Sequence, residues 1–457
     1  MRKIYILGAM ACMFAACKPS VTINNPVSAG NATFTNYLAI GNSLTAGYSD
    51  HSLTISGQVN SYPERLFEQF SLVAGNAGAK GPFIQPLLVG DVGYPTAKLV
   101  LGTIEDTCEG TFSLGPVTDS DPLNAADGNR YVSPANHGQI NNIGVPGIRV
   151  ADYPVAGYCA LNPYAQRFYQ DVNGTPMDEL IYMVHNLYPT FFTFWLGAND
   201  VLGYATAGGQ GNGTGNAVPI AGNIYGTNDI TPTAVFERIY DSALVVATST
   251  GASGALINIP DVTSVPFFTT VPANGLYLTR QGQADTLNAL WQTQFPNILF
   301  HIGYNYFIIQ DNNGNTRQAV PGELILLTVP MANLTCYGWG AKSPIPSQYV
   351  LTTDEIQFIR AATKTFNDYI YQESLKYHLA YVDMNTYLGT IASGISYNGI
   401  KYTAQYVTGG AFSLDGIHLT QRGYALVANQ IITTINAYYH STIPLTDVNK
   451  YQGIQFP

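Results

Sequence analysis

The sequence predicts an α/β fold in which helices cover both sides of a parallel sheet. Apolar runs at residues 37–40 and 191–196 are typical of strands that are buried on both faces, and residues 379–383 have the pattern of a further strand. Amphipathic helical patterns separate these runs along the chain. An alternation of strands and helices is typical of a doubly wound parallel sheet.

The first predicted strand, residues 37–40, runs into the sharp turn Gly41-Asn42-Ser43. A helix is expected next at residues 61–70, because Pro63 suits a first helical turn and apolar residues share one face. The other core elements follow in chain order: a helix at 176–187, a strand at 191–196, a helix at 233–246, a strand at 254–260, a helix that begins at Thr352 with Glu355 as its capping-box partner, a strand at 379–383, and a closing helix with Val427, Ile431 and Ile435 on one face.

Two long segments interrupt this pattern. Residues 71–140 are rich in Gly, Pro, Asn and Asp, and residues 262–350 mix aromatic, proline and polar residues around one possible strand at 324–329. Both are too long for ordinary loops, so we interpret them as insertions. The sequence therefore predicts one domain over residues 37–440, followed by a tail at 441–457.

The N-terminus is typical of an export signal. Arg2 and Lys3 precede an apolar run at residues 4–14, which is too short to span a bilayer, and two alanines then precede Cys17. This order resembles a bacterial lipoprotein box, which implies a signal peptide at 1–16, a lipid on Cys17 and a flexible tether at 17–36. The expected location is the cell envelope, with the outer membrane favoured. A plain secretory signal is the alternative.

Composition excludes some functions. Hydrophobic residues make up 46% of the chain and charged residues 11%, so the chain is too apolar to be disordered. From Cys17 onward there are 17 basic and 29 acidic residues, a net charge of −12, and without a basic cluster a nucleic-acid partner is not expected. No motif has metal-ligand spacing, and we expect neither metal nor cofactor. Cys108, Cys159 and Cys336 leave room for one disulfide whose pairing stays open.

Polar residues follow the ends of the predicted strands. Ser43 is the candidate nucleophile, His418 its base, and Asp415 the carboxylate that orients the base. The backbone N–H groups of Ser43 and Gly147 and the side-chain amide of Asn199 are the candidate donors to an oxyanion. Taken singly, each of these motifs could be an ordinary turn, but together and in this order they indicate acyl transfer.

Four blocks carry a resemblance to a known family: residues 41–44, residues 142–147, Gly197-Ala-Asn-Asp200 and Asp415-Gly-Ile-His418. In this order they resemble the SGNH/GDSL hydrolase superfamily of serine esterases and lipases, over about residues 36–439. The resemblance implies a flavodoxin-like three-layer fold and the site roles given above. Asn42 stands where the family has Asp, and Gly144 is a second choice for the oxyanion donor.

These observations predict a lipid-anchored esterase or lipase that forms an acyl-Ser43 intermediate, with a small-molecule, lipid or glycan ester as substrate. Two alternatives stay open. One is an O-acetyl esterase acting on glycans, and the other is a surface lipoprotein that binds a ligand without chemistry. The complete set of Ser43, Asn199, Asp415 and His418 argues against the second.

Overall fold

The computed structural model describes residues 26–106, 108, 110–120 and 140–457. The predicted signal peptide (1–16), Cys17 and residues 17–25 of the predicted tether lie outside the described residues, as do residues 121–139 of the first predicted insertion.

Most strands of the described chain are short. They are β1 (Tyr37–Gly41), β2 (Leu99–Asp106), β3 (Thr111–Thr118), β4 (Asn142–Gly144), β5 (Phe191–Trp195), β6 (Ser253–Ile257), β7 (Leu276–Leu278), β8 (Gly303–Asn305), β9 (Ile308–Gln310), β10 (Thr316–Gln318), β11 (Leu324–Ile325), β12 (Val350–Leu351), β13 (Ala380–Val382), β14 (Ile395–Tyr397) and β15 (Ile400–Tyr402).

The α-helices range from single turns to long helices that cover the sheet. They are α1 (Ser43–Ala46), α2 (Ile55–Gln58), α3 (Tyr62–Ser71), α4 (Tyr158–Leu161), α5 (Pro176–Leu187), α6 (Asn199–Thr206), α7 (Thr233–Thr248), α8 (Pro266–Thr269), α9 (Gln281–Trp291), α10 (Met331–Thr335), α11 (Thr353–Lys376), α12 (Met384–Ser393) and α13 (Gln421–Tyr439). None of these described helices combines the length and apolar character needed to cross a membrane.

A five-stranded parallel sheet forms the centre, in the order β13-β6-β5-β1-β4. In register, Ile40 of β1 pairs with Ile143 of β4 on one side and with Phe194 of β5 on the other. The strand order reverses between β1 and β5, as in flavodoxin-like sheets. The predicted α/β fold with a parallel central sheet is confirmed.

Alternate residues of β5 face the two helical layers. Trp195 packs edge-on against Tyr62 of α3, and Phe191 packs in the same way against Tyr439 of α13. On the other face, Phe194 packs against Tyr240 of α7. A fully buried side chain of this size contributes roughly 1.5–3 kcal/mol, so these aromatic contacts hold the three layers together.

The two ends of the described chain pack at opposite edges of the sheet. Residues 26–36 lie at the amino edge, where Asn31 donates to the Tyr439 carbonyl and Phe34 is fully buried against Phe70. This part of the predicted tether is therefore packed, because Phe34 joins the core. The C-terminal segment runs back along α13, and the Arg422 side chain at the start of that helix donates to the Tyr451 carbonyl.

Segments from the predicted insertions build small sheets of their own. The β2–β3 hairpin belongs to the first insertion, while β7–β11 and α8–α10 belong to the second. Of the predicted strand at 324–329 only Leu324–Ile325 pairs with β12, because the chain turns back where the Val329 N–H donates to the Leu326 carbonyl. Cys108 and Cys336 form a disulfide between the two insertions, and Cys159 is a buried free thiol.

Candidate active site

The candidate site lies at the carboxyl edge of the sheet, where the strand order reverses. Ser43 comes directly after β1, Gly147 follows β4, and Asn199 follows β5. Since parallel strands end at the same edge, these three residues come from adjacent strand ends. All of them line one cavity, together with Asp415 and His418.

The turn that carries Ser43 is fixed by its neighbours. Asn42 accepts a hydrogen bond from the Leu44 N–H at 3.1 Å and so caps α1, the bond expected of an Asn at this position. Below the turn, the Thr45 hydroxyl is hydrogen-bonded to the Tyr62 hydroxyl at 2.9 Å in a fully buried contact. Ser43 is therefore held on a short, well-anchored helical turn rather than on a free loop.

A continuous chain of hydrogen bonds connects the three predicted polar residues. His418 Nε2 lies 2.9 Å from Ser43 Oγ, and His418 Nδ1 lies 2.9 Å from Asp415 Oδ2. When the imidazole proton is on Nδ1 and faces the carboxylate, Nε2 is free to accept the hydroxyl proton of Ser43. This is the geometry required of a hydroxyl nucleophile and its general base.

Asp415 is held as a carboxylate. Its Oδ1 accepts the backbone N–H groups of Ile417 and His418, each at 2.8 Å, and its Oδ2 accepts the His51 N–H at 3.0 Å. Burial alone would raise the pKa of Asp415, but the adjacent His418 and these N–H donors outweigh it and hold that pKa well below its usual range.

The loop that bears Asp415 and His418 precedes α13, so the sequence-based expectation that this pair ends a strand of the sheet is wrong. Gly416 in this loop has a φ of +73°, and a Cβ there would lie 3.0 Å from the backbone nitrogen of Phe267. That same Phe267 N–H donates to the Gly416 carbonyl at 2.9 Å. The start of the second insertion thus packs directly on this loop.

The two glycines considered as oxyanion donors have different surroundings. Gly144 donates its N–H to Asn142 Oδ1, and a Cβ on it would lie 2.5 Å from the backbone nitrogen of Ala46. Gly144 therefore allows β4 to pack closely on α1. Gly147 lines the cavity with a φ of +82°, and within the described residues its N–H has no hydrogen-bond acceptor.

Asn199 is the first residue of α6 and lines the same cavity as Gly147. Its Nδ2 donates one hydrogen to the Ile148 carbonyl at 2.9 Å, which fixes the orientation of the amide. The next residue, Asp200, is fully buried and accepts the Val150 N–H at 2.8 Å and the Thr231 hydroxyl at 2.7 Å. Burial raises the pKa of Asp200 to about 6. Together the two side chains hold the loop that follows Gly147.

A second contact, not predicted from the sequence, joins the Ser43 and His418 segments. Asp50 Oδ1 accepts the Leu414 N–H at 2.9 Å, and the Asp50 N–H donates to the Ser413 hydroxyl at 3.0 Å. Asp50 and His51 both have positive φ, 52° and 62°, which is uncommon for residues other than glycine. Burial raises the pKa of Asp50 to about 6. No motif distinguishes these residues from others after the Gly-bracketed turn.

The cavity in front of Ser43 has a volume of about 1340 Å³ and is lined mostly by apolar side chains. The β2–β3 hairpin contributes Leu99 and Pro116 to its wall, and the second insertion contributes Phe267, Leu327 and Met331. The volume exceeds that of most small-ligand sites, and the apolar part of the wall suits a hydrophobic group.

In the described part of the chain, no three His, Cys, Asp or Glu side chains converge on a point that could hold a metal ion. A second cavity, more polar than the first, lies between α6 and α11 and is separate from Ser43.

The fold and the site together define an α/β protein with a Ser–His–Asp arrangement at the carboxyl edge of its sheet. No protein-family model matches the chain, and no curated protein matches it. Among solved structures, the family 3 carbohydrate esterase of Clostridium thermocellum is similar over 88% of this chain and 96% of its own, with 9% sequence identity and a TM-score of 0.32.

Proposed function

We propose that the protein is a serine hydrolase that cleaves carboxylic esters through an acyl-Ser43 intermediate. The observation that carries this proposal is the continuous hydrogen-bonded chain from Asp415 through His418 to Ser43, which opens into the large apolar cavity. Ser43 Oγ would attack the ester carbonyl while its proton passes to His418 Nε2. Asp415, as a carboxylate, would stabilise the imidazolium that forms.

The tetrahedral intermediate places a negative charge on the former carbonyl oxygen. The N–H groups of Ser43 and Gly147 and the second amide hydrogen of Asn199 are the donors available to this oxygen from the cavity wall. Collapse of the intermediate would transfer the proton from His418 to the leaving alcohol. Water, activated by the same His418, would then release the acid and restore Ser43. The proposed reaction uses only protein groups and water.

The apolar cavity favours esters with a hydrocarbon acyl chain over the glycan acetate alternative. An acetyl group would occupy only a small part of the cavity of about 1340 Å³, and most of the exposed lining of that cavity is apolar. Burying each additional methylene of an acyl chain contributes about 0.8 kcal/mol. We therefore expect kcat/KM to rise with chain length before it reaches a limit.

The test is hydrolysis of p-nitrophenyl esters from acetate to palmitate by protein begun at Lys18, beside its Ser43→Ala variant. Every described helix and strand lies after residue 36, so this protein retains the fold. We expect turnover by the wild type, none by Ser43→Ala, and fluorophosphonate labelling of Ser43 only. An optimum at acetate would favour the deacetylase. Absence of both turnover and labelling would favour the binding protein.

We also propose that the protein is lipid-anchored through Cys17 in the cell envelope, since the segment before Cys17 has the order of a lipoprotein signal. In a bacterial host fed labelled palmitate, the full chain should take up label and sediment with membranes. Cys17→Ser should lose the label. A labelled Cys17→Ser protein would contradict this proposal.

A further inference from the structure

Exposed apolar side chains lie on two segments that contribute residues to the cavity wall. We call four of them the rim: Phe112 and Leu114 on the β2–β3 hairpin, and Met331 and Tyr337 at the two ends of the α10 segment. Their side chains are 68%, 55%, 53% and 69% exposed, respectively. Large exposed apolar groups gathered in one place usually mark a surface that binds something.

The hairpin half of the rim continues the cavity wall. Leu101 pairs with Pro116, Thr103 with Leu114, and Glu105 with Phe112. Alternate residues of a strand share a face, so Pro116, Leu114 and Phe112 form a row. Pro116 lines the cavity, and at the usual rise of about 3.4 Å per residue Phe112 lies roughly 14 Å further out. Leu114 and Phe112 therefore extend outward from the cavity wall along β3.

The α10 half of the rim is joined to the hairpin by a covalent bond. Met331 lines the cavity and is half exposed, and no residue of α10 is buried. Cys336, next to Tyr337, forms the disulfide with Cys108 at the tip of the hairpin. The bond keeps both halves of the rim on the same side of the molecule.

We infer that the rim is a docking surface for a zwitterionic lipid surface from which ester substrates enter the cavity; this surface is not the membrane proposed to hold Cys17, because residues 26–36 lie at the opposite edge of the sheet. A folded protein seated on the rim would close the mouth through which substrate must pass, whereas a lipid surface covers the rim and supplies the substrate. The chain carries a net charge of −10, and Glu105 is exposed on the same face of the hairpin. Anionic lipids would be repelled, so neutral headgroups fit better.

This inference rests on the proposed function for its substrate, but the docking itself does not need Ser43. The experiment therefore uses the Ser43→Ala protein begun at Lys18 and measures sedimentation with phosphatidylcholine vesicles. Adding Phe112→Ser and Leu114→Ser should weaken binding at least tenfold, since each side chain loses the gain of entering an apolar phase. Vesicles of phosphatidylglycerol should bind more weakly than phosphatidylcholine at low salt.

A matched control carries Val245→Ser and Leu375→Ser, two apolar residues that are 53% exposed on α7 and α11, away from the mouth. This control should bind as the parent does, and circular dichroism should show that all variants are folded. Equal binding by rim and control variants, or no binding by the parent, would overturn the inference. So would a parent dimer that dissociates in the rim variant, because the rim would then be covered by a second copy.

The two proposals fail in different ways. Vesicle binding that depends on the rim, without fluorophosphonate labelling of wild-type Ser43, would support the docking surface and contradict the proposed hydrolase function. Labelling of Ser43 without vesicle binding would support the proposed hydrolase function and contradict the docking surface.

Discussion

Removing the side-chain amide of Asn199 tests the proposed oxyanion site most directly. In Asn199→Ala, the hydrogen bond to the Ile148 carbonyl is lost together with the free amide hydrogen that faces the cavity. The first loss should lower the free energy of unfolding by about 0.5–1.5 kcal/mol. The second should lower kcat ~10²–10³-fold, equivalent to about 2.7–4 kcal/mol of transition-state stabilisation. The effect on turnover thus exceeds the effect on stability.

The assay is steady-state hydrolysis of p-nitrophenyl butyrate, with urea unfolding measured on the same preparations. Because the oxyanion exists only beyond the ground state, kcat should fall while KM stays nearly constant. Fluorophosphonate should still reach Ser43, but more slowly. A variant that keeps full kcat would refute the role of Asn199, and a variant that loses stability and activity in equal measure would reduce that role to structural support.

Two further predictions concern carboxyl groups. Asp50→Ala should lower kcat roughly tenfold, because it removes the acceptor of the Leu414 N–H. Asp50→Asn keeps an acceptor, so its kcat should stay within about threefold of the wild-type value. Equal kcat for the wild type and Asp50→Ala would contradict this prediction. Burial raises the pKa of Glu179 on α5 to about 7, above its unfolded value. The folded state then binds more protons, so this group's stabilisation is complete below about pH 4.5 and is lost by about pH 7. Urea unfolding of the wild type should give a free energy of unfolding that is lower at pH 8 than at pH 5, by on the order of 3 kcal/mol. In Glu179→Gln this difference between the two pH values should be smaller. The same difference in the variant as in the wild type would exclude Glu179 as its source.

The central sheet and its covering helices could be predicted because their signals are local. The largely apolar run at residues 191–196 contains β5, and the capping-box pair of Thr352 and Glu355 begins α11 as expected. Residues 176–187 match α5 at both ends, where Pro176 starts the helix and a left-handed Tyr188 ends it. In these segments the same residues determine both the local conformation and the burial.

The insertions and the second contact around Asp415 could not be predicted, because they depend on partners distant in sequence. Asp50 meets Leu414 across 364 residues, and Cys108 meets Cys336 across 228. Neither pair has a pattern of its own. Helix α10 has no buried face to produce a periodic stripe. The placement of Gly147 rather than Gly144 in the cavity wall likewise follows from packing against α1, which the spacing of the glycines does not reveal.

The opposite placement of the two chain ends has a practical consequence for handling the protein. Residues 26–36 enter at the amino edge of the sheet, whereas Tyr451 lies beside Arg422 at the start of α13, just after His418. Coupling the protein to a bead or sensor chip through its N-terminus would turn the mouth of the cavity that contains Ser43 toward the bulk solution. A reporter domain fused at the C-terminus would instead lie beside the opening and hinder bulky substrates. An N-terminal attachment is therefore the sound choice for measuring this protein on a surface.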